Sequence, residues 1–169
     1  MKAARSDLFA YLDQLGIKTT TVDHPPVFTV EESEALIDRL PGGHTKNLFL
    51  KDAKGRLFLL VAEARADVPM KKLHKMIGCA RLSFGKPDLL EEKLGISPGS
   101  VTAFAAMNDT NGDVVVYIDQ TLLAHDVINC HPLENSATTA IARDDLIAFL
   151  EATGHPPTPI DLTAIPTTD

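Results

Sequence analysis

The sequence has few cysteines and few aromatic residues. Its 169 residues include two cysteines, two tyrosines, seven phenylalanines and no tryptophan. Two thiols are too few for a disulfide scaffold or a four-thiolate zinc site, and the six histidines show no paired zinc-ligand spacing. We therefore expect neither a metal nor a cofactor. The scarcity of aromatic rings also disfavours a protein that binds single strands mainly by base stacking.

Long hydrophobic runs are also absent. No apolar stretch approaches the ~20 residues that cross a bilayer, and the N-terminus reaches Asp7 without the apolar segment of a secretory signal. We expect a cytoplasmic protein with no membrane partner. A composition of 44% hydrophobic and 23% charged residues indicates a globular chain of one domain.

The charge is unevenly distributed. The net charge of −7 argues against an indiscriminate nucleic-acid binder. Residues 44–86, however, carry ten Lys and Arg against three acids. This basic middle fits either one defined phosphate-rich ligand or an ordinary solvated surface, and composition alone leaves both open.

Several familiar catalytic motifs are missing, including the glycine-rich nucleotide loops, the zinc-protease helix motif and the serine-hydrolase elbow. The segment 42–46 suggests a phosphate loop, but it lacks the first glycine and leads into a strand. Cys130 and His131 are adjacent, so in a strand they point to opposite faces and form no catalytic dyad. We expect Cys130 to be a buried apolar residue.

The local patterns predict a mixture of helices and strands. The first helix should follow an N-cap at Ser6 and end at Gly16, and the second should begin with a capping box at Thr29 and end near 41–43. Further helices are predicted over 69–77, 87–95 and 144–153. Strands are predicted over 17–22, 47–50, 56–62, 101–107, 114–118, 127–131 and 138–142.

Two of these strand pairs read as hairpins, with turns at 52–55 and 108–113. The residues after Gly154 contain four prolines and are expected to lie extended on the surface or to be loose. Helices interrupt hairpins instead of alternating with strands. The pattern therefore predicts a single α+β domain and disfavours a doubly wound parallel sheet.

Lys46 and Asn47 form the first unusual feature, where a Gly-Gly loop enters a strand. By alternation Lys46 shares a face with Leu48 and Leu50, an apolar setting in which an ammonium group needs a partner. It fits a lysine that binds a phosphate or a developing oxyanion. It also fits the commoner case of a lysine whose head reaches the rim of the core.

Two further segments stand out. Residues 95–100 place two glycines around Pro98, a rigid turn whose backbone N–H groups can approach a ligand closely; most such turns only reverse the chain. His131 follows a predicted strand and precedes a proline. It suits either a histidine that binds substrate or water, or a satisfied structural histidine.

In this order, these elements resemble the prolyl-tRNA editing family of the YbaK and ProX type, and within it the free-standing alanyl-tRNA(Pro) deacylases. The similarity runs from about residue 8 to residue 162. It is carried by HPPVFTVEE at 24–32, GGHTKNLFL at 42–50, RLSFG at 81–85, LGISPGSVT at 94–102, HPL at 131–133 and TTAI at 138–141.

The resemblance implies a compact α/β domain over residues 1–162, with a mixed, curved sheet flanked by helices, and a flexible tail over 163–169. It implies metal-free hydrolysis of the ester that joins a wrong amino acid to tRNA, with water assisted by the ribose hydroxyl. The implied catalytic positions are Lys46, Gly99 and His131. The implied substrate-binding positions are Thr29, Asn47, Gly95, Pro98 and Ser100.

Two positions depart from the family pattern: Ala103 replaces an expected proline and Cys130 an expected aromatic residue. If either lines the pocket, the size of the accepted amino acid changes. Cysteine-, serine- or threonine-charged tRNAs are therefore alternative substrates, and a non-catalytic module that binds tRNA or a synthetase is the alternative of another class. The implied partners are the acceptor end of tRNA(Pro) and prolyl-tRNA synthetase, with the protein a monomer or a homodimer.

Overall fold

Eight strands form one mixed sheet in the computed structural model, which describes residues 3–26 and 30–164. The strands are β1 (Thr19–Asp23), β2 (Gly43–Asp52), β3 (Leu57–Glu63), β4 (Leu82–Phe84), β5 (Val114–Asp119), β6 (Val127–Cys130), β7 (Ala137–Ala142) and β8 (Thr158–Ile160). Their order is β1-β7-β6-β2-β3-β5-β8, with β4 paired to β2. Parallel pairs, such as β3 with β5, occur beside antiparallel ones, such as β2 with β3. The predicted mixed α/β domain is confirmed.

Five α-helices flank the sheet: α1 (Arg5–Gln14), α2 (Val30–Arg39), α3 (Met70–Ile77), α4 (Pro87–Leu94) and α5 (Arg143–Ala152). Short 3₁₀ turns cover Pro98–Ser100, Ala103–Asn108 and Gln120–Ala124. Within the described ranges, no helix is both long and apolar enough to cross a membrane.

The sheet buries apolar side chains on both faces. One face of β2 and β3 contributes Phe49 and Leu59 to a large core beneath α1, α4 and α5. The other contributes Leu50 and Leu60 to a smaller core with Leu73 of α3. This alternation follows from the two-residue period of a strand. It fixes which side chains of β2 face α3.

The helix ends largely follow the sequence signals. Gly78, Gly95 and Gly154 have φ values of +84°, +66° and +84°, the left-handed conformation that ends a helix. The N-cap prediction at Ser6 is wrong. Ala4 caps α1, and Asp7 accepts a hydrogen bond from the Ala4 N–H group at 2.8 Å. The helix therefore starts two residues earlier than predicted, and a carboxylate of its first turn accepts from the N-cap N–H group.

The strand predicted over 101–107 is a second error. Thr102 caps a 3₁₀ helix over Ala103–Asn108 instead, and its hydroxyl accepts from the Phe104 N–H group. Four consecutive residues of this segment are buried, which suits a compact turn of small side chains better than a half-exposed strand. The hairpin is therefore absent, and β5 pairs in parallel with β3 and β8.

The chain after Gly154 is extended, as expected, but it is not a surface tail. β8 adds a parallel strand to β5, and Ile160 and Leu162 are buried. His155 is also buried, and its Nε2 lies 2.8 Å from an Asp109 carboxylate oxygen. Of the predicted tail over 163–169, residues 165–169 lie outside the described residues.

Candidate functional site

A cavity of about 460 Å³ lies where β2, β6 and the turn Pro98–Ser100 meet α2. Five of the predicted catalytic and substrate-binding residues line it: Lys46, Asn47, Pro98, Gly99 and His131. They come from three segments separated by some 30 to 50 residues along the chain. The fold thus brings the Gly-Gly loop, the glycine–proline turn and the histidine to one place.

The cavity exists because β2 changes partners along one edge. Gly43 and His44 pair in parallel with β6, whereas residues 50–52 pair antiparallel with β4. The residues between these two pairings have a strand partner only on the β3 side. This leaves a gap in the sheet between the end of β6 and β4.

The backbone of Asn47 points into this gap. The His44 carbonyl accepts from the Ala64 N–H group at 2.8 Å on the β3 side. The Phe49 carbonyl accepts from the Gly85 N–H group at 2.9 Å on the opposite side. Because backbone groups alternate in direction along an antiparallel pair, odd-numbered residues of β2 face the gap. Asn47 therefore presents its main-chain groups, as well as its side chain, to the cavity.

Asn47 also carries an unpaired acceptor. Its side-chain Oδ1 is the buried polar atom without a hydrogen-bond partner among the described residues. An unsatisfied buried oxygen is costly unless a ligand or water donates to it. At the cavity wall, this oxygen suits a donor on a bound molecule, such as an ammonium or hydroxyl group.

Lys46 is half-buried beside the cavity, and its Nζ donates to the Ala66 carbonyl oxygen. That carbonyl belongs to the segment between β3 and α3. The contact positions the ammonium group at the cavity without neutralising it, and two of its three N–H donors remain for an anionic ligand. The partner of Lys46 is thus a backbone oxygen and not a carboxylate.

Gly99 of the glycine–proline turn lines the cavity, and its backbone N–H group is unpaired among the described residues. The Ser100 N–H group is already used, since it donates to the Ser97 carbonyl at 2.9 Å. No hydrogen bond from the Gly99 N–H group occurs within the part of the chain that the structure describes. A Cβ atom added at Gly99 would meet its nearest neighbour, Asn135 Nδ2, at 3.5 Å, an ordinary contact. Packing therefore tolerates a small side chain at Gly99.

His131 is held at the end of β6 by a tight turn. Leu133 has a φ of +68°, unusual for a non-glycine residue, and its N–H group donates to the His131 carbonyl at 3.0 Å. The His131 Nδ1 donates to the Ala137 carbonyl at 3.2 Å, which leaves Nε2 as the acceptor of a neutral ring. Burial lowers the pKa of His131 below its usual value, and nearby His24 acts in the same direction.

Cys130 and Thr45 line the cavity beside Asn47. Burial raises the pKa of the Cys130 thiol to about 12, so the nucleophilic thiolate is scarce at neutral pH. The expectation of a buried cysteine is confirmed. Thr45 Oγ1 donates to the Asn129 carbonyl at 2.8 Å and joins β2 to β6 at this point.

Of the two departures from the family pattern, Cys130 lines the cavity whereas Ala103 does not. Ala103 is fully buried in the large core. The side chain at residue 130 therefore affects the size of the cavity, whereas the side chain at residue 103 affects the packing of the large core.

Two predicted binding residues lie outside the cavity wall, and a third is not among the described residues. Gly95 ends α4, and Ser100 is the buried last residue of the turn; neither is among the described residues that line the cavity. Thr29 lies outside the described residues. The ligand-binding roles inferred for these three stay predictions.

The sequence reasoning missed other parts of the wall. They are Ser33, Glu34, Leu36 and Ile37 of α2, together with His44, Thr45, Ala64, Val101, Asn129 and Thr138. Strand alternation could have found Asn129, two residues before His131. Nothing local in the sequence places α2 over the cavity.

Glu34 on this wall pairs with Arg65, which also lies 3.4 Å from Asp38. The Arg65 guanidinium lowers the pKa of Glu34. The ion pairs join α2 to the segment after β3 at the edge of the cavity.

Asn129 and Gly42 fix the Gly-Gly loop. The Asn129 Nδ2 donates to the carbonyls of Pro41 and Gly43 at 3.0 and 3.1 Å. Gly42 has a φ of +102°, and a Cβ atom there would lie 2.7 Å from the Val127 carbonyl oxygen. The loop thus requires glycine at this position.

Comparison with known proteins identifies the family. The model of the aminoacyl-tRNA editing domain matches residues 24–149. This chain belongs to that family.

Relatives of the editing domain extend over most of its length. A prolyl-tRNA synthetase associated domain-containing protein 1 of Danio rerio is 41% identical over 155 residues, covering 90% of this chain and 84% of the relative. The prolyl-tRNA editing protein ProX of Acetoanaerobium sticklandii is 37% identical over 153 residues, covering 90% and 93%. The resemblance drawn from the sequence is confirmed.

A solved structure shares the fold of this editing domain. It is a candidate trans-editing enzyme for prolyl tRNA synthetase, with a TM-score of 0.70 and 18% identity, covering 95% of this chain and 99% of its own. At this identity the likeness concerns the architecture alone.

Proposed function

We propose that this editing domain is a deacylase that removes alanine from mischarged tRNA(Pro) in trans. The observation that carries the proposal is the convergence of Lys46, Asn47, Gly99 and His131 on one cavity. The family assignment and the name of the ProX relative support prolyl-tRNA editing as the setting.

The proposed chemistry is attack of water on the carbonyl carbon of the aminoacyl ester. The new C–O bond forms an oxyanion, to which the Gly99 N–H group donates. The ester C–O bond then breaks, and the ribose oxygen takes up a proton, releasing alanine and free tRNA. The neighbouring ribose hydroxyl of the substrate assists the water.

His131 and Lys46 position the reactants. Because its Nδ1–H is used by Ala137, the neutral His131 ring offers Nε2 to accept a proton from the water or hold the substrate. The Lys46 ammonium binds the terminal adenosine or its phosphate. Asn47 Oδ1 is a suitable acceptor for the α-ammonium group of the amino acid.

Two observations support water as the nucleophile without a metal. The Cys130 thiol is protonated at neutral pH, since burial raises its pKa to about 12. In residues 3–26 and 30–164, no three potential His, Cys, Asp or Glu ligands cluster together. With a protonated thiol and no cluster of metal ligands among the described residues, the side chains favour hydrolysis by water that the substrate assists.

Cavity size is the proposed basis of amino-acid choice. Exclusion by size rejects larger amino acids, whereas binding affinity discriminates by only ~1–3 kcal/mol per methylene. Because Cys130 lines the cavity, small amino acids such as cysteine, serine and threonine are the alternative substrates. The alternative of another class is a module that binds tRNA or prolyl-tRNA synthetase without hydrolysis.

We further propose that residues 1–162 form the working domain. The domain would work in the cytoplasm, as a monomer or homodimer, with prolyl-tRNA synthetase supplying mischarged tRNA. The synthetase link is supported by the name of the Danio rerio relative.

A panel of aminoacyl-tRNAs tests this proposal. The protein is incubated with tRNA(Pro) charged with alanine, proline, cysteine, serine or threonine, and release of the amino acid is followed. We expect rapid release of alanine and little of proline. Release of another amino acid would keep the chemistry and change the substrate. No release from any of them by folded protein would reject the deacylase and leave the binding module.

A further inference from the structure

The first two residues of β7 each contact an imidazole ring. The Ala137 carbonyl accepts from His131 Nδ1 at 3.2 Å, and the Thr138 hydroxyl oxygen lies 2.8 Å from His24 Nε2. Thr138 is 4% exposed and lines the cavity together with His131. His24 is not among the residues that line it. One histidine thus faces the cavity directly, and the other reaches it through a threonine.

The strand register places these three side chains on one face of the sheet. In the pair of β1 and β7, His24 comes two residues after the position opposite Thr138, so both project to the same face. In the pair of β6 and β7, Cys130 lies opposite Thr139. Continuing that pairing by one residue brings His131 beside Thr138. The order across the sheet is therefore His24, Thr138, His131.

Hydrogen bonds determine the direction of the Thr138 hydroxyl. The His24 Nδ1 atom lies 2.8 Å from the Pro25 carbonyl oxygen. A carbonyl can only accept, so Nδ1 carries a proton, and in the neutral ring Nε2 is then an acceptor. The Thr138 hydroxyl therefore donates its single proton to His24 Nε2. The lone pairs of Thr138 Oγ1 remain for a donor in the cavity.

The cavity wall thus carries two neighbouring acceptors, Thr138 Oγ1 and His131 Nε2. Side chains directly opposite each other in an antiparallel pair have Cβ atoms about 4.5–5.5 Å apart, close enough for one water to bridge their polar atoms. A water molecule has two O–H donors. With both donors engaged, its lone pairs are directed away from the wall, where they can attack a carbonyl carbon.

We propose that Thr138 contacts the attacking water together with His131, and that His24 is a positioning residue that sets the direction of the Thr138 hydroxyl. The assignment rests on the proposed function, because it concerns the water that hydrolyses the aminoacyl ester. Thr138 and His24 orient this water and take up no proton. The bonds that form and break are those of the deacylation already described.

Steady-state deacylation of alanyl-tRNA(Pro) tests the role of the hydroxyl. Thr138→Val keeps the shape of the side chain and removes its oxygen, so kcat should fall by about 10-fold, the loss of one hydrogen bond, with little change in KM. Thr138→Ser retains a hydroxyl and should restore most of the rate. A wild-type kcat in Thr138→Val, or equal losses in both variants, would overturn the water contact.

Two variants of His24 test the positioning role. A glutamine amide can accept a hydrogen bond close to the place of Nε2, so His24→Gln should keep most of kcat. His24→Ala leaves the Thr138 hydroxyl free to rotate and should lower kcat towards that of Thr138→Val. Equal activity of the glutamine and alanine variants would overturn the positioning role.

Thr21→Val is the matched control. Thr21 Oγ1 lies 2.8 Å from Thr139 Oγ1, which is another hydroxyl contact between β1 and β7, and neither residue is among those that line the cavity. The variant should keep the wild-type kcat. A loss as large as that in His24→Ala would mean that these contacts act only by pairing the strands, and would overturn the positioning role.

NMR of the ring nitrogens tests the hydrogen bonds without substrate. At about pH 8, where imidazole rings are mostly neutral, His24 and His131 should both carry their proton on Nδ1. Thr138→Val should shift the His24 Nε2 resonance, because that atom loses its donor, and should leave the proton on His131 Nδ1. A proton on His24 Nε2 in the wild type would overturn the positioning role.

These outcomes separate the water contact from the deacylase. Release of alanine at equal rates by the wild type and Thr138→Val would keep the deacylase and reject the water contact. No release of any amino acid by folded wild-type protein would reject the deacylase and, with it, the water contact, even with both rings protonated on Nδ1.

Discussion

The Nδ1 atom of His131 lies 3.2 Å from the Ala137 carbonyl oxygen, and this contact fixes the tautomer of the ring at the cavity. Burial lowers the pKa of His131 below the ordinary value of about 6.5. We therefore expect kcat/KM to remain level as the pH falls through 6.5 and to decline only below it. A pH profile, with NMR titration of the His131 ring, measures this.

The lowered pKa of His131 also makes the stability of the fold depend on pH. Between the lowered pKa of the folded state and 6.5, the unfolded chain binds a proton at residue 131 that the folded chain does not. The His131 contribution to stability is therefore lost as the pH falls below 6.5. An apparent pKa at or above 6.5 for His131 would contradict the assignment of a buried neutral ring.

The second prediction concerns Cys130 and the choice of substrate. Replacing it by alanine enlarges the cavity, so larger amino acids should be released faster relative to alanine. A change of about 10-fold or more in the ratio of kcat/KM for alanine- and proline-charged tRNA(Pro) is expected, within the range for one methylene. Ala103→Gly provides the comparison, because Ala103 does not line the cavity; an equal shift in both variants would refute a size limit at residue 130.

Substitution by alanine should have different effects at Gly42 and at Gly99. At Gly42 the φ of +102° and the nearby Val127 carbonyl oppose any side chain, so Gly42→Ala should lower the free energy of unfolding by about 1–3 kcal/mol. At Gly99 a methyl group has room, so Gly99→Ala should keep the stability and lower kcat, because the methyl lies beside the N–H group. Denaturant unfolding and single-turnover deacylation separate the two effects. Equal loss of stability in both variants would be evidence against this geometry.

A buried pair away from the cavity should govern stability alone. His155 and Asp109 are almost fully buried, 2.8 Å apart, and the Asp109 carboxylate also accepts the N–H groups of Asp113 and Val114. His155→Ala should cost about 3–5 kcal/mol, since it leaves a buried carboxylate underpaired. Thermal unfolding should show a midpoint lower by roughly 10 °C.

The exposed pair of Lys93 and Asp113 serves as its control, because water screens it. Lys93→Ala should shift the midpoint little. Similar shifts for the two variants would show that burial of the His155 pair does not stabilise the fold.

Local signals predicted much of this fold because they act over a few residues. Glycines at 78, 95 and 154 ended helices where expected, and the turn at 52–55 joins β2 to β3. The segment 101–107 was misjudged because an apolar run rich in alanine suits a buried turn as well as a strand.

The site itself depends on contacts between distant residues. Lys46 and His131 approach one cavity because Gly43 and His44 pair in parallel with β6, a register that no local pattern reveals. The wall formed by α2 and the pair of Asp109 with His155 had no sequence signal. Family resemblance, which spans most of the chain, supplied the grouping that local reasoning could not.

The most direct test is deacylation of alanyl-tRNA(Pro) by the wild type and Lys46→Ala, with prolyl- and cysteinyl-tRNA(Pro) in parallel. Lys18→Ala is the control, because Lys18 is an exposed lysine remote in sequence from the cavity residues. We expect the wild type and Lys18→Ala to release alanine selectively, and Lys46→Ala to be slower by about 10²-fold or more. Release of alanine by Lys46→Ala at the wild-type rate, or no release by folded wild-type protein, would contradict the account.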